Sequence, residues 1–315
     1  MKKITEAWVG VDISKKRLDI YIHPAGKYYQ ITNAKGAIEQ FIAELSQYRI
    51  KQIACEATGG YEKVLASTLK KHGYSLWIID PRRIKGFIVA AGCKGKTDKI
   101  DAQKIAEFAA KNTPDYPIVG KTENQEQLQA LTNRKNDLQK FLVAEKTRLK
   151  HPSHVLSEVS IKAVIKVLEA QIKSIEQHIK GIIRQDNDLN KKADILVSIP
   201  GIGQASAAML LSFVPELGTL SSKKISALIG VCPYDNSSGN YKGKKSIRGG
   251  RVVPRNMLYM CALTTIKYHL PLRELYDRLI ANKKPFKVAI VAIMHKLIII
   301  ANALLKKGQM CQKFS

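Results

Sequence analysis

Two short apolar runs near the N-terminus each end in a carboxylate. The first run is WVGVD, which Asp12 closes, and the second is IACE, which Glu56 closes. Alternation in the first run places Trp8, Gly10 and Asp12 on one face of a predicted strand, so the carboxylate emerges at the strand's end. Residues 52–58 repeat this arrangement. The pattern therefore predicts two β-strands that each present an acid at one end.

A further pair of acids lies in the segment TDKID, where Asp98 and Asp101 are three residues apart. Thr97 is a predicted N-cap, and the spacing puts both carboxylates on one face of the first helical turn, where the helix dipole favours anions. Two strand ends and a helix start can converge in a folded chain. Oxygen ligands suit Mg²⁺ or Mn²⁺, and two such ions can clamp both oxygens of a phosphodiester displacement. Solubility alone explains any one of these acids, whereas all four in this order favour a metal site.

The chain is strongly basic along its whole length. Lys and Arg number 52 against 26 Asp and Glu, which gives a formal net charge of +26 and a pI near 9.8. This balance indicates a polyanionic partner, bound through phosphate contacts and counterion release. Membranes also attract basic proteins, but the sequence shows no lipidation signal, signal peptide or uninterrupted apolar span. The nearest candidate, residues 288–305, has His295 and Lys296 at its middle and is predicted to be a buried core helix.

Cysteine usage points to a reducing environment. The five cysteines, at positions 55, 93, 232, 261 and 311, form no C-x-x-C pair and do not cluster with histidine. An odd number scattered over the chain argues against a disulfide framework. A cytoplasmic protein is therefore expected.

Three parts are predicted, at residues 1–118, 119–190 and 191–315. The first is α/β with a βββαβαβα order, and its acids fall on the first strand, the fourth strand and the last helix, as in ribonuclease-H-like nucleases. Its predicted strands are 6–13, 18–24, 27–33, 52–58 and 75–80, and its predicted helices are 35–48, 61–72 and 98–111.

The second part carries a heptad pattern in two helical segments joined by the turn HPSH. A 3.5-residue period over three heptads indicates a supercoiled seam, with polar breaks at Lys135 and Glu145. Two arrangements stay open, an intramolecular coiled-coil hairpin and an oligomerisation arm. The seam positions are Leu128, Leu131, Leu138, Leu142 and Leu149 in the first segment and Ile161, Ile165, Leu168, Ile172, Ile175, Ile179 and Ile182 in the second.

The third part is predicted to be mainly helical. Residues 198–211 (SIPGIGQASAAMLL) have the form of a helix-hairpin-helix element, in which a turn from Gly201 to Gly203 opens a helix of small residues. Exposed amides at such a turn can hold a DNA phosphate without reading sequence. The alternative is a purely structural turn.

A basic, glycine-rich loop at residues 233–251 interrupts these helices. Its tandem serines, Ser237 and Ser238, directly precede a glycine, and a serine that attacks phosphorus needs neighbours that stabilise the charge that develops. No histidine lies within thirty residues to act as base, so metal at the acidic cluster would have to assist. On composition alone, a flexible loop whose serines only hydrogen-bond phosphate is favoured. The predicted phosphate-binding side chains are Lys242, Lys244, Lys245, Arg248 and Arg251.

Together these motifs resemble one family, the DEDD transposases of bacterial insertion sequences, which are related to Piv-type DNA invertases. GVDISK, EATGGY and KTDKIDAQKIA match its RuvC-like half, whereas SIPGIG, ALIGVCPYDNSSG and KSIRGG match its transposase half. The match covers the whole chain in the family's order. The tandem serine is a small departure, so Ser238, directly before the glycine, is the preferred nucleophile and Ser237 is the alternative.

The resemblance implies a recombinase that excises and inserts its own element. Asp12, Glu56, Asp98 and Asp101 would bind Mg²⁺ or Mn²⁺, and the serine would form a covalent phosphoserine link to DNA. The resemblance also implies a structured guide RNA, called a bridge RNA, that pairs with donor and target DNA. It further implies a homo-oligomer, dimer or tetramer, with composite active sites.

Two other classes stay open. A Holliday-junction resolvase or nuclease would use the same carboxylates to activate water and would form no covalent intermediate. The serine loop discriminates between the two, because a resolvase does not need it. A non-catalytic nucleic-acid-binding protein would keep the basic charge and the coiled coil without binding metal at the acids.

Overall fold

The computed structural model divides into two compact units, Met1–Gly120 and Lys121–Ser315. The boundary predicted near residue 190 falls inside the second unit, so the finer division into three parts stays a prediction. The structure describes residues 5–92, 95, 97–116, 118, 120–151, 154–238, 241–243 and 245–312.

The first unit is built on a five-stranded mixed sheet. Its strands lie in the order β3-β2-β1-β4-β5, and the first three pair antiparallel whereas β1, β4 and β5 pair parallel. This order is consistent with the predicted ribonuclease-H-like fold. The strands are β1 Glu6–Ile13, β2 Arg17–His23, β3 Lys27–Thr32, β4 Arg49–Glu56 and β5 Leu76–Ile79.

Helices cover both faces of this sheet because the strand residues alternate between two apolar clusters. Val9 and Val11 join one cluster with residues of α1 and α2, whereas Ala54 on β4 joins another with Ile105 and Phe108 of α4. Period-two burial is what two-sided packing of a strand requires. The helices are α1 Lys35–Leu45, α2 Lys63–Lys71, α3 Pro81–Ala90 and α4 Asp98–Lys111.

Helix α3 is an element that the predicted βββαβαβα order lacked. It begins with two strong local signals, since the Asp80 carboxylate accepts from the Arg82 amide at 2.9 Å and Pro81 occupies the first turn. Ile84 is its buried residue, packed with Ile105 and Phe108 of α4. The sequence signal was therefore present at residues 80–82.

Gly10 lets α4 pack directly on the sheet. A Cβ at this position would lie 2.9 Å from the Ala106 Cα and closer still to the Ala102 carbonyl oxygen, both in the backbone of α4. Real Cβ atoms do not approach backbone so closely, so α4 must move if any side chain is added. The position of Asp98 and Asp101, which α4 carries, therefore depends on this glycine.

We expect Gly10→Ala to lower the free energy of unfolding by about 2–3 kcal/mol, because overpacking against helix backbone cannot be relieved by a rotamer change. Urea unfolding followed by circular dichroism measures the effect. Gly36→Ala in α1 is the matched control, since its added Cβ meets no atom within 4 Å. Equal stability of the two variants would show that α4 is not held against Gly10.

The second unit begins with a helical hairpin of α5 and α6, which pack along each other. Ile175 and Ile179 of the predicted seam are buried near the hairpin's base, and the polar break at Lys135 is an ion pair with Glu176 at 3.2 Å. The intramolecular helical hairpin, the first of the two predicted arrangements, is thus present. Its supercoiling into a coiled coil stays a prediction. The helices of this unit are α5 Glu123–Arg148, α6 Val155–Gln185, α7 Asn187–Val197, α8 Gln204–Phe213, α9 Ser222–Ile229, α10 Val252–Tyr268, α11 Leu270–Ala281 and α12 Phe286–Lys307.

Helix α12 is the core helix of the second unit. Among the described helices it is the one long and apolar enough to cross a membrane. It packs against α7, α9, α10 and α11 and buries eight of its residues, which confirms the predicted buried core helix. One of them, Asn302, accepts from the Gly218 amide at 2.9 Å and donates to the Leu220 carbonyl at 2.8 Å.

Candidate active-site residues

Asp12 and Glu56 lie at the carboxyl ends of the neighbouring parallel strands β1 and β4. Val11 pairs with Cys55, so the two acids follow at the next position of each strand. Each acid shares a strand face with a residue two positions earlier, and that face is the one that α4 covers. The predicted strand-end placement of both carboxylates is therefore confirmed.

Asp98 and Asp101 occupy the first turn of α4. The Thr97 hydroxyl accepts from the Ile100 amide at 3.2 Å, which confirms the predicted N-cap. Helix α4 packs across β1, β2 and β4, and the charges of Asp98 and Asp101 act on Asp12, so its first turn lies near the end of β1 that carries Asp12. Glu56 ends the neighbouring strand β4.

Electrostatics show that these acids act on one another. Burial, together with the negative charges of Asp101, Asp98 and Asp19, raises the pKa of Asp12 to about 6. A carboxylate that is partly buried among other carboxylates is destabilised in its charged form. A bound cation would offset this repulsion.

Asp19 is a neighbour of the cluster that lies outside the sequence motifs. It lies directly opposite Asp12 in the β1–β2 pairing, is buried, and accepts hydrogen bonds from the Tyr28 hydroxyl and from Gln30 Nε2 at 2.9 Å. The hydrogen bond between Tyr28 and Asp19 is the main reason why the pKa of Tyr28 is raised to about 12. The sequence signal for this buried acid is its position as the one charged residue in the apolar run LDIYI.

The donor set fits a hard divalent cation by chemistry, since all four side chains offer carboxylate oxygens. The charges of Asp98 and Asp101 also repel that of Asp12. Within the described residues, however, no group of three or more acidic, histidine or cysteine side chains stands in a metal-ligating arrangement. The structure thus gathers three of the predicted acids around α4's first turn and β1, with Glu56 on the adjacent strand. Their roles as ligands stay a prediction.

The serine loop contains short strands that the sequence analysis did not predict. Strands β6 Pro233–Tyr234 and β9 Ser246–Ile247 pair with each other, and inside them β7 Ser237–Ser238 pairs with β8 Tyr241–Lys242. Both serines are exposed. Adjacent residues of a strand point to opposite faces, so Ser237 and Ser238 cannot present their hydroxyls to the same side.

The base of this loop is fixed by close backbone packing. A Cβ at Gly250 would lie 2.5 Å from the Gly230 Cα, and both glycines have positive φ angles. The Arg255 guanidinium donates to the carbonyl oxygen of Gly249. Only glycine meets the combined demands of backbone conformation and space at these positions. The serine hairpin therefore projects from an anchored base.

The predicted phosphate-binding side chains have different surroundings. Lys245 forms an exposed ion pair with Asp235 at 2.8 Å, and the Arg248 guanidinium lies 5.3 Å from the centre of the Tyr234 ring. The backbone of Lys242 lies in β8, whereas Lys244 falls outside the described residues. Phosphate binding by this set stays a prediction.

Arg251 has structural partners that its sequence context does not predict. Its guanidinium makes two contacts with the buried carboxylate of Glu216, at 2.6 and 2.7 Å, and donates to the Phe213 carbonyl at 2.8 Å. These bonds tie the end of the loop to the segment after α8. Any role of Arg251 toward phosphate would compete with this ion pair.

We expect Arg251→Met to lower the free energy of unfolding by about 3 kcal/mol. This lies at the low end of values for broken buried pairs, because Arg251 remains about one-third exposed while Glu216 loses its counter-ion. Arg248→Met is the control, with the same charge loss at an exposed position. Chemical denaturation of both variants measures the difference, and equal midpoints would contradict the structural role.

The predicted helix-hairpin-helix turn connects α7 to α8. Gly201 has a φ of 100°, and a Cβ there would lie 2.8 Å from the Thr265 amide nitrogen, so this glycine packs against α10. The Thr265 hydroxyl also donates to the Pro200 carbonyl at 3.1 Å. By contrast, Gly203 caps α8 and is exposed. The structural alternative accounts for Gly201, and phosphate binding by the turn stays a prediction.

Comparison with known proteins identifies the two halves of the chain. Residues 9–159 match a family model for IS110-type DEDD transposases, and residues 193–277 match one for transposases of the IS116/IS110/IS902 family.

Relatives that match nearly the whole chain agree with this result. The chain is 27% identical to a pilin gene-inverting protein of Moraxella lacunata, over 97% of this chain and 98% of the relative. It is 25% identical to the transposase for insertion sequence element IS1111A of Coxiella burnetii, over 96% of this chain and 90% of the relative. The chain is therefore similar to IS110-type transposases in both of these regions, and it is an enzyme of DNA recombination and transposition.

Proposed function

We propose that this protein cuts and rejoins DNA through a serine nucleophile, Ser238, with divalent cations held by Asp12, Glu56, Asp98 and Asp101. The observation that carries the proposal is the raised pKa of Asp12, about 6, which burial and the acids of α4 cause together. A partly buried carboxylate cluster at the ends of parallel strands is costly without a cation. Mg²⁺ or Mn²⁺, when bound there, would stabilise negative charge on phosphodiester oxygens.

The serine loop supplies the covalent chemistry in this proposal. The Ser238 Oγ attacks the scissile phosphorus and its proton passes to water. The bond from phosphorus to the leaving sugar oxygen breaks, and that oxygen takes up a proton to become a hydroxyl. A phosphoserine bond replaces the broken ester bond, so its energy is retained for rejoining. Exposure of Ser238 on a two-residue strand lets DNA reach the hydroxyl, and the anchored loop base holds the hairpin in place.

Family resemblance extends the proposal to assembly. In a homo-oligomer, dimer or tetramer, the serine loop of one protomer would act with the carboxylates of another. The α5–α6 hairpin, a coiled coil in this proposal, carries exposed apolar side chains such as Phe141, Val155 and Leu156, which suit such contacts. Light scattering of the purified protein measures the mass that this proposal requires.

The test of the covalent mechanism is a suicide DNA substrate that carries the joined ends of the element and a nick beside the cleavage site. We expect a protein–DNA adduct on a denaturing gel that forms only with Mg²⁺ or Mn²⁺ and that protease removes. Cleavage without any adduct would instead establish a hydrolytic nuclease or resolvase. Binding without cleavage under all metal conditions would leave a non-catalytic binding protein.

The guide RNA is the second partner in this proposal, and it rests on the family resemblance. We expect the RNA transcribed from the element's non-coding flank to compete about tenfold better than duplex DNA of equal length. Both affinities should fall steeply across a salt series, because a net charge of +26 binds by counterion release. A scrambled RNA of the same length is the control. Equal competition by flanking and scrambled RNA would remove the support for RNA guidance.

A further inference from the structure

A cavity of about 430 Å³ lies among helices α5, α6, α7 and α8 in the second unit. This volume falls within the range of sites that bind small molecules or single groups of a larger ligand. The cavity lies away from the serine loop in sequence, and none of its lining residues belongs to the predicted phosphate-binding side chains of that loop, whereas Gln204 and Ala205 directly follow the predicted turn from Gly201 to Gly203.

The floor of the cavity is aliphatic. Ile179 and Ile183 of α6 and Ala193 of α7 are buried there, and Ala208 and Met209 of α8 complete the surface. Such a floor suits the flat apolar face of a planar ligand, and the methionine thioether packs well against an aromatic ring. A purely ionic ligand such as phosphate would gain nothing from it.

A polar pair lies beside this floor. The side chain of Lys135 is 8% exposed, and its ammonium donates to Glu176 Oε1 at 3.2 Å. An ammonium has three N–H donors, so donors remain for a guest, and the glutamate oxygens remain acceptors. The cavity therefore offers a donor and an acceptor next to an apolar surface, which is the combination that reads the edge of a nucleobase.

The rim of the cavity is basic. Lys180 and Arg184 are exposed one turn apart on α6, and neither forms an ion pair with a carboxylate in the described part of the chain. The rim also includes Gln204 and Ala205 in the first turn of α8, where backbone amides and the helix dipole favour an anion. Asp194, the acid on this rim, accepts from Asn190 at 3.4 Å.

We propose that this cavity binds a single unstacked nucleotide, with its base against the aliphatic floor and its phosphate at the basic rim. The nucleotide can be an unpaired residue of a nucleic-acid chain or a free nucleotide, since both share this chemistry. The proposal does not depend on the serine or the carboxylates, so its failure and that of the cleavage mechanism are separate outcomes.

The experiment titrates the full-length protein with each of the four nucleoside monophosphates, and with inorganic phosphate, by calorimetry. Ala205→Tyr places a ring at the cavity mouth from an exposed position. The double variant Lys180→Gln/Arg184→Gln removes the rim charge. Lys166→Gln/Lys173→Gln is the matched control, because both lysines are exposed on the same helix and do not line the cavity.

We expect at least one monophosphate to bind more tightly than inorganic phosphate. Its affinity should fall at least tenfold in both cavity variants and stay within twofold in the control. No binding of any monophosphate, or equal binding by the Ala205→Tyr protein, would overturn the proposal, as would equal competition by a polyglutamate peptide. If a duplex with a single-nucleotide bulge competes better than the same duplex without it, the source is an unpaired nucleotide; equal competition identifies a free nucleotide.

Discussion

Asp12→Asn is expected to reduce DNA cleavage by at least about a thousandfold while nucleic-acid binding stays close to wild type. The asparagine keeps the size of the side chain but removes the charge that would balance the metal ions. Because burial and the acids of α4 already raise the pKa of Asp12 to about 6, loss of this charge should relieve repulsion in the metal-free protein. Stability without metal should therefore not fall.

Two measurements separate these effects. Calorimetry with Mg²⁺ or Mn²⁺ should show weaker or absent binding heat in the variant, and urea unfolding should show unchanged or higher stability without metal. Asp115→Asn is the matched control, since Asp115 belongs to the same unit but forms an exposed ion pair with Arg83. Equal metal-binding heats in wild type and Asp12→Asn would remove Asp12 from the metal site.

Much of the first unit could be predicted because its signals are local. Alternation around Asp12 and around Glu56 fixed both the strands and the face that each acid shares with its neighbours. The Thr97 cap fixed the start of α4 in the same way. The convergence of these elements in space could not be predicted from local signals, since the contact of α4 with Gly10 joins residues about ninety positions apart.

The second unit was less predictable because its decisive contacts are between distant residues. Sequence patterns showed a basic serine loop but not that Arg251 is engaged by Glu216, thirty-five residues earlier. Likewise, the spacing of Gly201 and Gly203 suggests a phosphate-binding turn. In the structure, Thr265 packs so close to Gly201 that no side chain fits there. Composition alone cannot distinguish a cation that binds phosphate from one that holds a loop.

Ser238→Ala should abolish the covalent protein–DNA adduct and strand cleavage without weakening DNA binding. Removing one hydroxyl leaves the basic side chains and the loop base unchanged, and the β7–β8 pairing uses backbone groups that alanine retains. Ser237→Ala is the closest control available, with the same atom removed from the neighbouring residue. We expect it to retain the adduct, because the two side chains point to opposite faces of β7.

The adduct should map by peptide sequencing to Ser238, which directly precedes a glycine in the sequence. A nucleophile beside glycine lets the DNA backbone approach closely, and cations of the same loop, such as Lys245 and Arg248, would stabilise the charge of the phosphorane. An adduct at Ser237 would reverse the roles of the tandem serines and would mean that the opposite face of the hairpin meets DNA. Because a strand cannot offer both hydroxyls to one phosphate, adducts at both serines in equal yield would require the hairpin to open during cleavage.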